Sequence, residues 1–455
     1  MKHSGIMRYF LKRLRTFEGM LLGVNPERPE RNILTGYFVY MLVGFALLML
    51  PFATRRGDVY WLDNLFTAVS AVSTTGLATV DLTDTYTLFG QIVILLLVQL
   101  GGIGYMTMTS YIRYLTTHHS GSGRPVLEVS IARPQGMHLQ DLVYNIIHFT
   151  FIFELLGFMA FYVSLAGAGD TSPAWHALYL SVSSFCTAGF SPFSDSLCAY
   201  ATNIGINLTV ALLSYAGALG FIVITDLTFK LTRPGYRITF TTKVILLITA
   251  IMTVGGTFIL AFSPTMEHAH TVAQSITLSF FQTMSAMTTV GFNTVDLSGL
   301  HVGPILVFSL IMFVGASPSG TGGGVKTTAV SAVWGFVISK LGIRREVTFL
   351  GRIIPSYRTD SALTAVISYG TLIFIGCIVL SYSEPFGLSR ILFEATSAIG
   401  TVGLSTGITP HLSDIGKWVI IVLMYVGRIG IITFGTALLS GMNSSTPSRM
   451  DDLVS

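Results

Sequence analysis

Residues 281 to 297, FQTMSAMTTVGFNTVDL, are one of four versions of a single pattern in this chain. The others are FTAVSAVSTTGLATVDL (66 to 82), YLSVSSFCTAGFSPFSD (179 to 195) and FEATSAIGTVGLSTGIT (393 to 409). Aligned on Gly76, Gly189, Gly291 and Gly403, they share an aromatic ten residues upstream (Phe66, Tyr179, Phe281, Phe393) and a Ser six upstream (Ser70, Ser183, Ser285, Ser397). They also share a Thr two upstream (Thr74, Thr187, Thr289, Thr401) and a Leu or Phe one downstream (Leu77, Phe190, Phe292, Leu404). The glycines lie 113, 102 and 112 residues apart, too far for a solenoid repeat, so each unit holds several long elements. A short segment made four times implies that the copies gather around one axis.

The rest of the chain is built for lipid. Charged residues are 11% of 455, less than half the usual share of about 25% in soluble domains, and the mean hydropathy is +0.68. Apolar runs cover Ile33 to Pro51, Tyr86 to Met108, Leu142 to Ala166, Ile204 to Leu227, Val244 to Phe262, Val302 to Gly315, Leu363 to Ser381 and Trp418 to Leu439. Most approach the roughly 20 residues that a membrane-crossing helix needs. The glycine segments follow the first, third, fifth and seventh runs, each after a short, moderately apolar stretch such as Trp61 to Val72 or Ser275 to Met287. These stretches are too short to span and read as re-entrant half-helices. The expected fold is an all-α integral membrane protein of four membrane-pore-membrane repeats, with eight transmembrane helices and four half-helices around a central pore. The repeats are placed at 33–113, 140–230, 239–340 (second helix broken) and 358–443, between an N-terminal segment, 1–32, and a tail, 444–455.

Cations set the orientation. Seven Lys or Arg precede residue 32, three lie from Arg113 to Arg133, four from Lys230 to Lys243 and six from Lys326 to Arg358. The connections that carry the glycine segments hold only Arg55, Arg56, Arg390 and Lys417. Both termini and the inter-repeat loops are expected in the cytoplasm, with the glycine segments entering from outside. The basic leader lacks a short apolar region and a cleavage site, so no cleavable signal is expected; it reads as lying on the anionic inner leaflet. Cys186, Cys198 and Cys377 form no ligand-like spacing, and neither a disulfide framework nor a zinc site is supported. His118, His119, His268 and His270 read as solvated.

Non-helical backbone at membrane depth costs several kcal/mol per unpaired group unless protein or water satisfies it. Gly permits backbone angles closed to other residues, so an extended stretch around each glycine can turn successive carbonyls to one side. Four such stretches would stack rings of oxygens able to replace the water shell of an alkali cation. The residue before the glycine varies among Thr75, Ala188, Val290 and Val402, as expected where the side chain points away. Each half-helix also directs its negative end at the pore. Small residues equally permit close helix packing, but four copies in register, each after a half-length segment, favour a pore. Cys186, Thr288 and Gly400, one residue further upstream, are included with the loops. Cys186 is expected at the entrance, where an impermeant thiol reagent would block it.

A second mark recurs in the helices that follow: GGIGYMTM from Gly101, GALGFIVI from Gly217 and GRIGIITF from Gly427. The third copy instead reads GASPSGTGGGVKTT from Gly315 to Thr328, and its Pro318 and five glycines cannot continue a helix. Such a break is tolerated where it is buried or lines a cavity. The expected gate comprises Gly315, Ser317, Pro318, Ser319, Gly320, Gly322, Gly323, Gly324 and Lys326; a flexible break without a gating role is the plain alternative. A phosphate-binding loop is disfavoured because Val325 precedes Lys326 where the pattern needs Gly. Arg428, midway along the last apolar run, is expected to face the bundle interior. Glu394, Asp81 and Asp296 read equally as cation-attracting groups at the outer mouth or as solvated loop acids. No catalytic constellation appears, so no enzymatic activity is expected.

The four Thr-x-Gly segments resemble those of the Trk, Ktr and HKT superfamily of potassium transporters, over about residues 33 to 443. With eight spans and no further helix pair, the chain is most similar to the Ktr membrane subunit. The resemblance implies a K+ selectivity filter formed by Thr74 to Leu77, Thr187 to Phe190, Thr289 to Phe292 and Thr401 to Leu404. It also implies that the Gly315 to Lys326 segment obstructs the pore below that filter and that Arg428 projects into it. Where a channel filter has a second glycine, the chain has Ala78, Ser191, Asn293 and Ser405, so fewer cation sites are expected. Gly at all four anchors implies potassium as the transported ion, since Ser at the first anchor accompanies sodium transport in the HKT branch. Na+ is an expected activator or co-ion, and no organic cofactor is expected. The implied partners are a cytosolic nucleotide-binding KtrA-like ring, a second copy of the chain in a homodimer, and the lipid bilayer; nucleic acid is not one. The implied location is a bacterial cytoplasmic membrane. A sodium or mixed-cation transporter of the same fold, and an alternating-access carrier, remain as alternatives.

Overall fold

The computed structural model describes residues 29–55, 57, 59–104, 139–263, 271–343 and 345–439. Most of the N-terminal segment, the basic stretch Arg113 to Arg133, residues 444–455, Arg56 and the four histidines His118, His119, His268 and His270 lie outside them.

Helices α1 (Pro29–Leu48), α2 (Trp61–Val72) and α3 (Leu88–Ile103) form the first group; α4 (Leu139–Gly167), α5 (Pro173–Phe185) and α6 (Ile204–Thr232) form the second. The third comprises α7 (Phe240–Ala261), α8 (Val272–Thr288), α9 (Val302–Phe313) and α10 (Thr327–Leu341). The fourth comprises α11 (Ser356–Ser383), α12 (Leu388–Gly400), α13 (Asp414–Ile429) and α14 (Ile431–Leu439). At 1.5 Å per residue α2 is about 18 Å long, well short of a bilayer core of about 30 Å, and its twelve residues are those the sequence marks as a half-helix. The shared aromatics Phe66, Tyr179, Phe281 and Phe393 are all buried and anchor α2, α5, α8 and α12 in the core. Side-chain caps start the flanking helices: the Asn203 side chain accepts from the Ile206 amide at 3.1 Å, and the Ser413 hydroxyl from the Gly416 amide at 3.2 Å.

The helices that follow the glycine segments are interrupted at more places than the sequence marked. Among the described residues five helices are long and apolar enough to cross a membrane, and a sixth span results if α13 and α14 are joined. Of the helices after the glycine segments the sequence marked only the third as broken. In fact α3 ends at Gly104 (φ 88°), α6 carries a non-helical residue at Gly220 (φ 73°), and α13 and α14 meet at 98° across Gly430 (φ 86°). These are the second glycines of the three G-x-x-G marks, and positive φ is the conformation glycine adopts without a Cβ penalty. Arg428 accordingly sits in the last turn of α13 rather than midway along one span.

The first glycine of each mark has a different task. A Cβ at Gly101 would collide with the carbonyl oxygen of Val72, one at Gly217 with that of Phe185, and one at Gly427 with that of Ile399. Each of those carbonyls lies four residues before its own glycine anchor, so the inner helix presses its backbone against the end of the half-helix. Overpacking of a rigid backbone contact costs about 1–3 kcal/mol. Gly427→Ala is therefore expected to lower the unfolding temperature in detergent, whereas Gly435→Ala, with nothing within 4 Å of the new Cβ, is expected to leave it unchanged or raise it.

Candidate functional site

The four glycine segments meet in a closed ring. A Cβ at Gly76 would strike the carbonyl oxygen of Ala188, one at Gly189 that of Val290, one at Gly291 that of Val402, and one at Gly403 that of Thr75. The order runs first to second, second to third, third to fourth and fourth back to first. Every anchor glycine thus abuts the carbonyl of the residue before the next anchor. The four have φ of 88°, 67°, 81° and 91°, so both the conformation and the close approach require glycine there.

The serine and threonine columns hold this geometry. The carbonyl of Ser70 accepts from the Thr75 amide at 2.8 Å, Ser183 from Ala188 at 2.8 Å, Ser285 from Val290 at 3.1 Å and Ser397 from Val402 at 2.9 Å. The Ser70 and Ser397 hydroxyls also accept from the Gly76 and Gly403 amides, each at 3.1 Å. Amide hydrogens are thereby drawn back toward the half-helix. Thr74, Thr187, Thr289 and Thr401 have φ of 52°, 50°, 60° and 50°, left-handed values rare for a β-branched residue. Such strain costs on the order of 1–3 kcal/mol per residue, persists where surroundings over-determine it, and concentrates at functional sites. The sequence exposed the Thr column but not its conformation. The side chains of Ala188, Val290, Val402, Leu77, Phe190, Phe292 and Leu404 are all buried.

On one side of the ring Thr187, Thr289 and Thr401 meet the loop between α9 and α10, and Thr74 meets Arg428 beside that loop. Thr74 Oγ1 accepts from Arg428 Nη1 at 2.9 Å, and Thr187 Oγ1 lies 3.0 Å from Thr321 Oγ1. Added Cβ atoms at Gly322 and Gly323 would clash with Thr289 Oγ1 and Thr401 Oγ1 respectively. The loop is pinched at its neck, where the Gly315 amide donates to Val325 at 3.0 Å and the Val325 amide to Phe313 at 3.1 Å. Its far side is pinned to the broken helix α6: the Ser317 amide donates to Ala218 at 3.1 Å, the Thr321 amide to Gly217 at 3.0 Å, and the Ser317 hydroxyl to Leu219 at 2.6 Å. Arg428 also donates to the carbonyls of Thr321 and Gly101, tying the loop to α3. Lys326 Nζ donates to Gly322 at 2.7 Å. A cavity of about 260 Å³ adjoins the loop, lined among others by Pro318, Ser319, Gly320, Lys326, Arg428, Gly104 and Gly220.

Some expected residues stand elsewhere. Cys186 is wholly buried, and its thiol points at Gln99 (3.7 Å) and Glu154 (3.8 Å), behind the ring rather than at an entrance. The Thr288 hydroxyl bonds to the Met284 carbonyl at 2.7 Å, while the carbonyls of Thr288 and Gly400 face Gly322 and Gly323 of the loop. Glu394 is 0% exposed, so it is not a solvated loop acid. Asp81 caps the short helix Leu82–Thr85; burial pushes its carboxyl up, but bonds from Ser194, Thr83 and the Asp84 amide outweigh this and hold it below the ordinary carboxylate range. Asp296 is exposed and also held low, by the Ser298 amide and hydroxyl at 2.9 and 2.7 Å. Glu154, an acid inside the α4 span that accepts from Gln99 Nε2 at 3.1 Å, went unmarked although a carboxylate in an apolar run is itself a signal.

The family described as TrkH, cation transport protein, matches residues 44–446. Ktr system potassium uptake protein B of Bacillus subtilis is 34% identical over 414 residues, covering 89% of this chain and 92% of that protein. Potassium/sodium uptake protein NtpJ of Enterococcus hirae is 34% identical over 429 residues, covering 91% and 94%. The crystal structure of the potassium transporter TrkH from Vibrio parahaemolyticus superposes with a TM-score of 0.70 at 19% identity, covering 89% of this chain and 84% of that one. The chain therefore belongs to the TrkH family of cation transport proteins. It is a multi-pass membrane protein of that fold and not an enzyme.

With only one cysteine left at 186, native protein is expected to resist a maleimide that labels it fully after denaturation in detergent. Rapid native labelling would contradict the position of this thiol behind the ring.

Proposed function

We propose that the chain is the potassium-translocating subunit of a Ktr-type uptake system, with dehydrated K+ coordinated by the main-chain oxygens of Thr74 to Leu77, Thr187 to Phe190, Thr289 to Phe292 and Thr401 to Leu404. The observation that carries this reading is the cyclic contact of each anchor glycine with the carbonyl before the next anchor. A ring of backbone oxygens with amides drawn away is the chemistry that replaces a hydration shell. The names of relatives from Bacillus subtilis and Vibrio alginolyticus, both potassium uptake proteins, support the choice of ion. The Enterococcus relative is named for potassium and sodium, which keeps a mixed-cation transporter as the second reading.

In this reading the Gly315 to Lys326 loop is the gate. It stands against Thr187, Thr289 and Thr401, and Arg428 places a positive charge at the same point, where it opposes a resting cation and links the loop to Thr74 and Gly101. Opening breaks these contacts. The chain divides into repeats at 33–113, 140–230, 239–340 and 358–443. Its termini and basic loops face the cytoplasm of a bacterial cell, where a nucleotide-binding KtrA-like ring docks, and two copies form a homodimer. Na+ acts as activator or co-ion.

Expression in cells that lack potassium uptake, with the cytosolic partner present, is expected to restore rubidium accumulation. Gly291→Ser drives a Cβ into Val402 and is expected to abolish rubidium uptake or shift preference toward sodium. Deletion of Ser317 to Gly324 is expected to raise flux, and Arg428→Gln to change uptake rate at equal protein level. Absence of rubidium uptake by the inserted wild-type chain would overturn the reading.

A further inference from the structure

The shared serine behaves differently from one segment to the next. The Ser70 and Ser397 hydroxyls accept from their anchor amides, and the Ser183 hydroxyl has no partner among the described residues. Ser285 is reversed: its hydroxyl donates to the carbonyl of Phe292 at 2.6 Å, one residue beyond the anchor Gly291. No other segment repeats that bond. Among the described residues, the main-chain oxygens of Thr74 to Leu77, Thr187 to Phe190, Thr289 to Gly291 and Thr401 to Leu404 accept no hydrogen bond.

The peptide that carries the Phe292 oxygen is fixed at its other end as well. A planar trans peptide sends its C=O and its N–H in opposite directions. Here the carbonyl accepts from Ser285 on α8, and the Asn293 amide donates to the Ser196 hydroxyl at 3.2 Å. The next carbonyl is occupied too, since that of Asn293 accepts from the Leu197 amide at 3.0 Å. Ser196 and Leu197 belong to the loop that follows the second segment, and Ser196 takes a left-handed φ of 61°. The equivalent peptides, joining Leu77 to Ala78, Phe190 to Ser191 and Leu404 to Ser405, make no hydrogen bond at either end among the described residues.

We infer that Ser285 is a specificity-determining residue: it positions the Phe292 oxygen toward the half-helix and leaves the outermost cation level with the oxygens of Leu77, Phe190 and Leu404 only. The inference rests on the proposal that the ring is a cation site, and it narrows the third segment's share to Thr289, Val290 and Gly291. This level lies at the end of the segments remote from the loop between α9 and α10. The number of carbonyl dipoles around an ion bears on the preference for K+ over Na+. A level short of one oxygen admits a water on the side of the third segment. The cation therefore enters it partly hydrated and completes its dehydration at the full ring beyond.

The test is the thermal unfolding of the purified full-length protein, titrated with KCl or NaCl at constant ionic strength with choline chloride. Wild-type protein is expected to gain stability with K+. Ser285→Ala deletes the donor and frees the Phe292 oxygen to turn to the axis. It is expected to lower the half-saturating K+ concentration about fivefold, the change in equilibrium that corresponds to one hydrogen bond, and to lower that for Na+ less. Lost packing alone would reduce stability at every salt concentration without moving half-saturation. Ser279→Ala deletes another buried hydroxyl of α8, one without a partner among the described residues, and is expected to leave half-saturation unchanged for both ions. Ser196→Gly suits the left-handed backbone and releases the other end of the peptide. It is expected to shift K+ half-saturation in the same direction, so the inference stays testable if Ser285→Ala fails to fold. Unchanged or raised K+ half-saturation in either variant, or an equal fall for K+ and Na+, would overturn the role of Ser285. A wild-type protein indifferent to K+ would instead defeat the cation-site reading, and this inference with it.

Discussion

Everything in this fold is arranged around four backbone contacts in which the Cα of one anchor glycine rests on the carbonyl of the neighbouring segment. No side chain mediates them, so nothing flexible can absorb an added atom. The half-helices are short because they must end at that ring, and the inner helices carry small residues because they press on the half-helix ends. The four threonines accept left-handed backbone because the ring, the serine carbonyls behind it and the loop on its other side fix them from three directions. Strain of this kind survives in a folded protein only where many neighbours agree on it.

The loop and Arg428 belong to the same constraint seen from the opposite side. Thr74 and Thr187 are occupied by Arg428 and Thr321, and Thr289 and Thr401 by the bare backbone of Gly322 and Gly323. A side chain at either glycine would have no space. The loop is held at its neck by a single backbone bridge between Val314 and Val325 and on its far side by α6, so its position against the ring depends on hydrogen bonds to the broken part of that helix.

The alignment of the four segments already carried the fold, since a pattern in register four times admits few arrangements. The glycine column, the half-helix of Trp61 to Val72 and the break after Gly315 could all be read from residue type and spacing. Three features could not. The positive φ of Gly104, Gly220 and Gly430 was hidden because a single glycine in an apolar run is compatible with an unbroken helix, and only tertiary packing decides otherwise. The inward turn of Cys186 was hidden because a position one residue before Thr187 says nothing about which face of the turn it occupies. The burial of Glu394 was hidden because an acid in a short connection usually meets water. Here its partners Ser405, Thr406 and Thr409 come from beyond the anchor, a proximity that appears only after the segment folds back.

The most direct examination of the central claim is anomalous diffraction from crystals of the protein grown in rubidium chloride. The account predicts a rubidium peak on the axis enclosed by Gly76, Gly189, Gly291 and Gly403, at coordination distance from main-chain oxygens of all four segments. Rubidium bound only at acidic side chains such as Asp296, with none inside the glycine ring, would contradict it.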